Sequence, residues 1–281
     1  MERTNKVYIV GTLKEVEQRL GEKDGRNYVG GKVVIETRDS MIEMKYFSFE
    51  MTEKGINKRY QNYRDLETLK GRRVKATGEI SGRAFWQASQ GQLIEFNELS
   101  LSFMNVAKDT DPAVATFEYS GWVSTPLNER MDKEGKALLA YEIELAQANY
   151  NGDNMQKIKF TVDPKASKIV AAINQYYHKN STVAVQGEIH YIPQTETRTE
   201  EVAFGDPIVK TFTSVHKRFL ITAGKSPILD DLAYSAEQIS NLEGSYKSYL
   251  ETVEREAKSE VESGRSVSNP TPPKSGLNTL L

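Results

Sequence analysis

The segments GRRVKATGEI, residues 71–80, and NSTVAVQGEI, residues 180–189, share the pattern V-x-x-x-G-E-I. In the first copy, apolar Val74 and Ile80 belong to a series that alternates with charged residues, as in a strand with one buried face. The second copy repeats this alternation 109 residues later. A strand that recurs in this way predicts a repeated structural unit.

Other similarities keep the same order and nearly the same spacing. The matched segments are 7–13 with 118–124, where Gly11 corresponds to Gly121, and 46–51 with 157–162, where Phe49 corresponds to Phe160. Together these matches indicate an internal duplication of about 110 residues.

Each half contains five segments with period-two alternation, which predicts five strands. A helix is predicted between the third and fourth strands of each half. In the second half, Asp163 is predicted to cap this helix, Pro164 to take its first position, and Ile173 to lie on its apolar stripe. In the fifth strand of the first half, a phase change across Asn97 and Glu98 predicts a β-bulge.

The pattern changes after residue 226. Ser235 and Gln238 form a capping box, and apolar residues then recur three and four positions apart to about Glu262, which predicts one amphipathic helix. This segment holds nine acidic and three basic residues, and the tail that follows is predicted to be flexible. The predicted units are a domain at 1–106, a linker at 107–116, a second domain at 117–225, the acidic helix at 226–262 and the tail at 263–281.

The chain has 281 residues, a net charge of −2 and no cysteine. Without cysteine, disulfides, thiolate metal sites and a cysteine nucleophile are excluded. No stretch approaches the roughly 18 apolar residues of a membrane span, and no signal peptide is predicted. We therefore expect a cytoplasmic protein without a membrane partner. The first 225 residues carry a net charge of +2, which permits basic patches but does not demand a nucleic-acid partner.

The strand order, the helix position and the glycine pattern of the fourth strand resemble the OB-fold of single-stranded DNA-binding proteins. The resemblance covers about residues 5–224 as two copies. It implies an all-β fold with short helices, in which two tandem OB-fold domains, each a five-stranded Greek-key barrel, precede a C-terminal helix. The duplicated arrangement resembles bacteriophage or other divergent single-strand binders, so the expected location is the host cytoplasm if the chain is phage-encoded.

This resemblance implies sequence-independent binding and protection of single-stranded DNA in replication or recombination, with RNA as an alternative ligand. Bases would stack on aromatic rings and phosphates would contact cations, in a groove formed by strands 2–3 and the loops joining strands 1–2 and 4–5. The three histidines lack a metal-binding pattern, and no phosphate-loop or nucleophile motif matches. We expect neither an enzyme nor a cofactor.

Aromatic and basic residues occur at the expected places. The predicted stacking residues are Tyr28, Tyr46, Phe85, Trp86, Trp122 and Phe204, and the predicted phosphate contacts are Arg26, Arg83, Arg130, Lys133, Lys157, Lys159 and Arg198. On the third strand, Phe47 and Phe49 are expected to face the core, which turns Tyr46 outward.

Several alternatives stay open at this point. Phe85 and Trp86 lie in SGRAFWQASQGQ, residues 81–92, which is predicted as the loop between strands four and five. They either stack on bases or close the end of the barrel. For Trp122, packing between domains is the favoured interpretation.

The C-terminal helix has three possible roles: it packs on an OB domain, forms a homo-oligomer as a short coiled coil, or binds a replication protein. The tail is a second candidate for such a partner. A further hypothesis is that the acidic face of the helix competes with DNA for the basic groove. The alternative function for the whole chain is a structural or protein-interaction module of a phage assembly, because a fold does not fix a function.

Overall fold

The computed structural model describes residues 4–52, 55–88, 90–132, 134–149, 151–200, 208–225 and 234–262. In the first half, three long strands are followed by two short strands, a helix and two further long strands. These elements are β1 (Asn5–Lys23), β2 (Arg26–Glu36), β3 (Met41–Phe49), β4 (Met51–Thr52), β5 (Gly55–Ile56), α1 (Lys58–Arg64), a 3-10 turn (Leu66–Leu69), β6 (Arg73–Gln87) and β7 (Gln92–Val106).

The second half repeats the order of the long elements and ends in a long helix. These elements are β8 (Val114–Met131), β9 (Leu138–Ala148), β10 (Met155–Val162), α2 (Ser167–Tyr176), β11 (Thr182–Glu200), β12 (Ile208–Lys225) and α3 (Ala236–Glu262).

Each half closes into a five-stranded barrel. In the first half the strand order is β1-β2-β3-β7-β6, closed by pairing of β6 with β1. In the second it is β8-β9-β10-β12-β11, closed by pairing of β11 with β8. We call these units barrel 1 and barrel 2. The predicted fold class, all-β in OB-fold order with short helices and a C-terminal helix, is confirmed.

The glycines of the repeated pattern lie where two backbones come close together. A Cβ added to Gly78 would overlap the carbonyl oxygen of Ser100, and one added to Gly187 would overlap that of Leu220. Each glycine also lies at a register shift in its ladder. The unpaired residues are Ser102 of β7 and Thr222 of β12. The glycine pattern therefore marks the position opposite a bulge in the fifth strand of each barrel, where no side chain fits.

The bulge predicted across Asn97 and Glu98 is wrong. The ladder between β6 and β7 is regular there, and the bulge of β7 lies further along, at Ser102, between the partners of Thr77 and Gly78. The phase change has another cause. Beyond Gly82 the β6–β7 hairpin leaves barrel 1, so both of its faces contact neighbours and both carry apolar residues.

The two barrels are joined by antiparallel pairing of their first strands, β1 and β8. Val7 lies opposite Phe117, and these residues are 110 positions apart, as are Gly11 and Gly121. Equivalent residues of the duplication therefore face each other, which relates the barrels by an approximate twofold axis. The domain boundaries assigned from the sequence stay a prediction.

Each barrel also extends a hairpin across the third strand of the other. From barrel 1, the Gly82 amide donates to Gln156 Oε1 at 3.3 Å, and Asn97 Nδ2 donates to the Lys159 carbonyl at 3.0 Å. From barrel 2, the Tyr191 amide donates to Ser40 Oγ at 3.1 Å. These contacts join the two barrels in addition to the pairing of β1 with β8.

Both predicted helices between third and fourth strands are present, but α2 begins later than expected. Its first residue is Ser167, and neither Asp163 nor Pro164 belongs to it. Asp163 instead accepts a hydrogen bond from the Lys165 amide at 2.8 Å, within the turn that precedes the helix. Ile173 is buried, as predicted.

The predicted capping box starts α3. The Gln238 amide donates to Ser235 Oγ at 3.1 Å, and the Ser235 amide donates to Gln238 Oε1 at 2.8 Å. The predicted stripe is the buried side of the helix, and its buried members include Ile239, Leu242, Tyr246 and Val253. The long amphipathic helix is therefore confirmed.

Helix α3 packs on both barrels. Its first turns cover Trp122 of barrel 2. Further along, Tyr246 Oη is hydrogen-bonded to Glu95 of β7, and the Lys258 ammonium lies 4.7 Å from the centre of the Trp86 ring. Among the three roles left open for this helix, the structure shows packing on the OB barrels.

Candidate nucleic-acid interface

The outer face of β2 and β3 bears an aromatic pair, of which Phe47 is exposed and Tyr28 is half-buried. The Tyr28 and Phe47 rings are stacked, with centroids 5.2 Å apart and an interplanar angle of 29°, and Phe47 is 52% exposed. Gly30 lies opposite Phe47, and a Cβ there would be 3.0 Å from the Phe47 ring. Beside the pair, the Arg26 guanidinium lies 3.9 Å from the centre of the Phe49 ring. We call Tyr28 and Phe47 the aromatic platform.

Tyr46 points into barrel 1, so the prediction that it faces outward is wrong. It is 5% exposed, its hydroxyl donates to the Glu17 carbonyl at 2.9 Å, and burial raises its pKa. The ladders place Met44, not Phe49, in the position of Phe160. The sequence match was off by five residues, and an odd shift exchanges the two faces of a strand.

Three cations continue from the platform across barrel 1. Lys32 and Lys45 are opposite each other in the β2–β3 ladder, on the face that holds Phe47. Lys45 Nζ lies 2.7 Å from Glu98 Oε2, and Glu98, which is 1% exposed, also pairs with Arg83. Burial, followed by the charge of Arg83, lowers the pKa of Lys45. One buried carboxylate thus holds two cations close together on this face.

The segment 81–92 is not a loop. Strand β6 extends to Gln87 and β7 begins at Gln92, so only a short turn separates them. The polar and glycine-rich composition that predicted a loop belongs to the tip of this hairpin. Contacts with β10 and α3 support the extended strands beyond the barrel.

Phe85 and Trp86 are consecutive strand residues and therefore point to opposite faces of the hairpin. Phe85 packs edge-on against Phe96, at 5.5 Å, on the face that holds Arg83. Trp86 lies on the other face, beneath Lys258 of α3. Both rings are half-buried. The two aromatic residues thus have different surroundings, and only Phe85 lies on the side of Lys45.

A groove separates β7 of barrel 1 from strands of barrel 2. Its lining includes Arg130, Lys159, His216 and Lys217, with Phe96 and Asn97 on the opposite wall. Burial, then the charges of Arg130 and Arg218, lowers the pKa of His216. Burial also lowers the pKa of Lys217, and nearby Lys45 acts in the same direction. We call this space the interbarrel groove.

Two other candidates lie under α3. Trp122 is 0% exposed and its ring contacts that of Tyr234 at 4.6 Å, so it is a packing residue, but it packs between barrel 2 and α3 and not between the two barrels. Lys157 faces outward from barrel 2, as predicted. Its Nζ lies 3.5 Å from Glu144 Oε1 and 5.5 Å from the centre of the Tyr246 ring. Helix α3 therefore covers these two positions.

Three predicted contacts fall beyond the described side chains. Lys133 and Phe204 lie outside the described residues. The structure places the backbone of Arg198 in β11 without describing its side chain. Their roles stay predictions.

Sequence reasoning missed several residues of this surface. Phe47 and Lys45 had a detectable signal, because Ile42, Met44 and Tyr46 already form an alternating series whose other members face outward. Lys217 had none, since it meets Lys45 only through the docking of the two barrels.

Within the described ranges, no group of three or more histidine, aspartate and glutamate side chains could hold a metal ion. Over those same ranges, no helix has the length and apolar content to cross a membrane.

Comparison with known proteins identifies the fold and the family. The wild-type single-stranded DNA binding protein from Thermus aquaticus has a similar structure, with a TM-score of 0.51 and 10% identity, covering 84% of this chain and 99% of that one. A deletion mutant of the same protein gives a TM-score of 0.50 and 12% identity, with coverages of 84% and 100%. At these identities the likeness is one of fold. No curated protein matches in sequence. The YorF family matches residues 3–258, which is most of the chain, and the protein therefore belongs to the YorF family.

Proposed function

We propose that this protein binds single-stranded DNA without sequence preference, by aromatic stacking and phosphate contacts. The observation that supports this best is the aromatic platform beside Lys45 on the outer face of β2 and β3. That face is the one on which OB-folds bind oligonucleotides.

The chemistry of the platform suits unpaired bases. A base stacked on Phe47 or Tyr28 gains about 1–3 kcal/mol, and any base can do so because each has a flat π-face. Lys32, Lys45 and Arg83 lie where the phosphates of such a strand would pass. Glu98 restrains two of these cations, so less side-chain freedom is lost on binding. Binding of this kind involves no turnover.

The likeness of fold to a single-stranded DNA-binding protein supports the same proposal. We further propose a role in protecting DNA strands during replication or recombination, in the cytoplasm of a bacterial host infected by a phage. This finer assignment rests on the duplicated OB arrangement, and α3 or the tail would provide the contact with a replication protein.

Fluorescence anisotropy with labelled oligo-dT, across a range of salt concentrations, tests the proposal. Phe47→Ala is expected to weaken binding by about 1–3 kcal/mol, or about 5- to 150-fold, because it removes a stacking surface. Affinity should also fall steeply as salt rises. Oligo-U in the same titration compares RNA with DNA.

Phe103→Ala is the matched control. Phe103 is a partly exposed phenylalanine of barrel 1 with a nearby cation, Arg59 at 5.9 Å, but it lies outside the platform. The control should bind as the wild type does. If the wild type binds no oligonucleotide at low salt, the proposal fails and the structural or interaction module becomes the better interpretation.

A further inference from the structure

We propose that the interbarrel groove holds the phosphate backbone of the same strand whose bases stack on the aromatic platform. The bound strand would then pass from barrel 1 to barrel 2. This inference rests on the proposed function and adds a second segment to the binding site.

The platform and the groove are continuous. Phe47 and Lys45 are two residues apart on one face of β3, and Lys217 contacts Tyr191, whose hydroxyl donates to the Glu43 carbonyl of β3 at 3.5 Å. The ammonium Nζ of Lys217 lies 5.3 Å from the centre of the Tyr191 ring. The backbone amide of Tyr191 in turn donates a hydrogen bond to Ser40 Oγ of barrel 1. The junction between the two segments is therefore made by residues of both barrels.

The charge of the groove is positive. Arg130 and Lys159 share one carboxylate, Glu142, with Nη1 at 3.1 Å from Oε1 and Nζ at 3.7 Å from Oε2. Two cations thus face one anion. When Lys217 and Glu95, which is hydrogen-bonded to Tyr246, are included, the lining holds three cations and two carboxylates. An anionic ligand would relieve the repulsion among the remaining positive charges.

The arrangement of the cations favours a polymer over a single small anion. Arg130 of β8 and Lys159 of β10 meet at Glu142, whereas Lys217 lies on β12, so positive charge occurs at more than one point along the groove. Successive phosphates of a flexible single strand match this spacing of charge along a path. On the opposite wall, the ring of Phe96 gives a base an apolar surface to contact.

A pair of double variants tests the groove. Arg130→Gln with Lys159→Gln removes two exposed cations of the groove, whereas Lys165→Gln with Lys168→Gln removes two exposed lysines of barrel 2 beside and within α2. Both change the net charge by the same amount. Anisotropy is measured for each variant with oligo-dT of about 6 nucleotides, which falls within the about 4–16 nucleotides held by one OB-fold, and of about 30 nucleotides, which exceeds that range. Thermal melting confirms that both variants are folded.

The groove variant is expected to bind the long oligonucleotide more weakly than the control. Its slope of log affinity against log salt should be shallower by about 1.4, because each phosphate contact on a single strand contributes about 0.7. Its affinity for the short oligonucleotide should stay within about 2-fold of the wild type, since one OB-fold can hold that length. Phe47→Ala should weaken binding at both lengths.

Equal binding of the long oligonucleotide by the groove and control variants would overturn the inference. If Phe47→Ala still weakens binding in that case, the proposed function survives and only the path is wrong. Absence of binding by the wild type at either length would reject both.

Discussion

The outer face of β2 and β3 in barrel 1 and that of β9 and β10 in barrel 2 occupy the same place in the two halves, yet their chemistry differs. In barrel 1, an aromatic pair stands beside Lys45. In barrel 2, the register places Thr161 at the Lys45 position and Lys159 at that of Glu43. There Lys157 and Lys159 pair with Glu144 and Glu142, and the face is a ladder of alternating charges.

This difference separates what the fold requires from what the proposed ligand would require. The glycines at both bulges and the closure of both barrels are kept, because a side chain at either glycine would collide with backbone. The outer faces are free of that constraint and have diverged. We infer that barrel 1 provides base stacking and that barrel 2 provides mainly charge.

The largest expected effect should be equal in the two barrels. Gly78→Ala and Gly187→Ala should each lower the free energy of unfolding by about 3 kcal/mol, because the added methyl group must displace a ladder carbonyl. Urea denaturation measures this change. Gly244→Ala in α3, where a Cβ meets nothing within 4 Å, serves as the control and should be neutral or slightly stabilising. A large loss in only one barrel would contradict the shared role of the two bulges.

The next effect should be confined to barrel 1. Tyr28→Ala should weaken oligo-dT binding by about 1–3 kcal/mol, since it removes half of the aromatic platform. Leu139→Ala removes an exposed apolar side chain of β9 in barrel 2 and should leave affinity unchanged. Anisotropy at fixed salt compares the two variants, and equal losses would argue against a division between the barrels.

A smaller effect distinguishes positioning from charge. Glu98→Gln removes a negative charge near the proposed path, so charge alone predicts tighter binding. We expect binding weaker by about 3-fold instead, because Lys45 and Arg83 lose the carboxylate that holds them. Glu43→Gln removes one of the two acids paired with Lys32, at 3.5 Å, and leaves Glu17 at 3.1 Å, so it should tighten binding. Circular dichroism at the assay temperature checks folding, and tighter binding by Glu98→Gln would reject the positioning role.

The smallest effect concerns pH in the interbarrel groove. His216 has a pKa below its usual 6.5 in the folded protein, because of burial and the charges of Arg130 and Arg218, while Glu142 opposes the shift. The unfolded state therefore binds more protons, and this histidine should lower stability as pH falls through about 6.5. Bound phosphate would raise the pKa, so binding should tighten as pH falls. NMR titration of His216 with and without oligo-dT measures both shifts; unchanged pKa on binding would contradict contact with the strand.

Local patterns were sufficient for the fold. The repeated glycines, the period-two strands and the Ser235 capping box each depend on neighbouring residues, and all three describe the structure correctly. The sequence also contained enough information to predict which face of β3 is buried. The match of Phe49 to Phe160 was wrong by an odd number of residues, so the buried and exposed faces were exchanged. Strand registers are sensitive to such errors because side chains alternate.

The surface between the barrels could not be predicted in the same way. Lys45 and Lys217 are far apart in sequence and meet because the β11–β12 hairpin reaches across β3. Trp86, for which base stacking and barrel closure were both left open, is similarly contacted by a helix that lies more than a hundred residues later in the chain. Contacts of this kind depend on how the barrels and α3 pack against one another, and this packing produces no periodic pattern of apolar residues in the sequence.

The pairing of β1 with β8 makes this chain the covalent equivalent of a symmetric dimer. Two identical subunits must present the same face twice, so any improvement of one face is imposed on the other. In a single chain that contains both copies, a substitution in one copy leaves the sequence of the other unchanged. For a polymer lying across both copies, the consequence is direction: one end meets aromatic rings and the other meets cations, so the two ends of the bound segment are no longer equivalent.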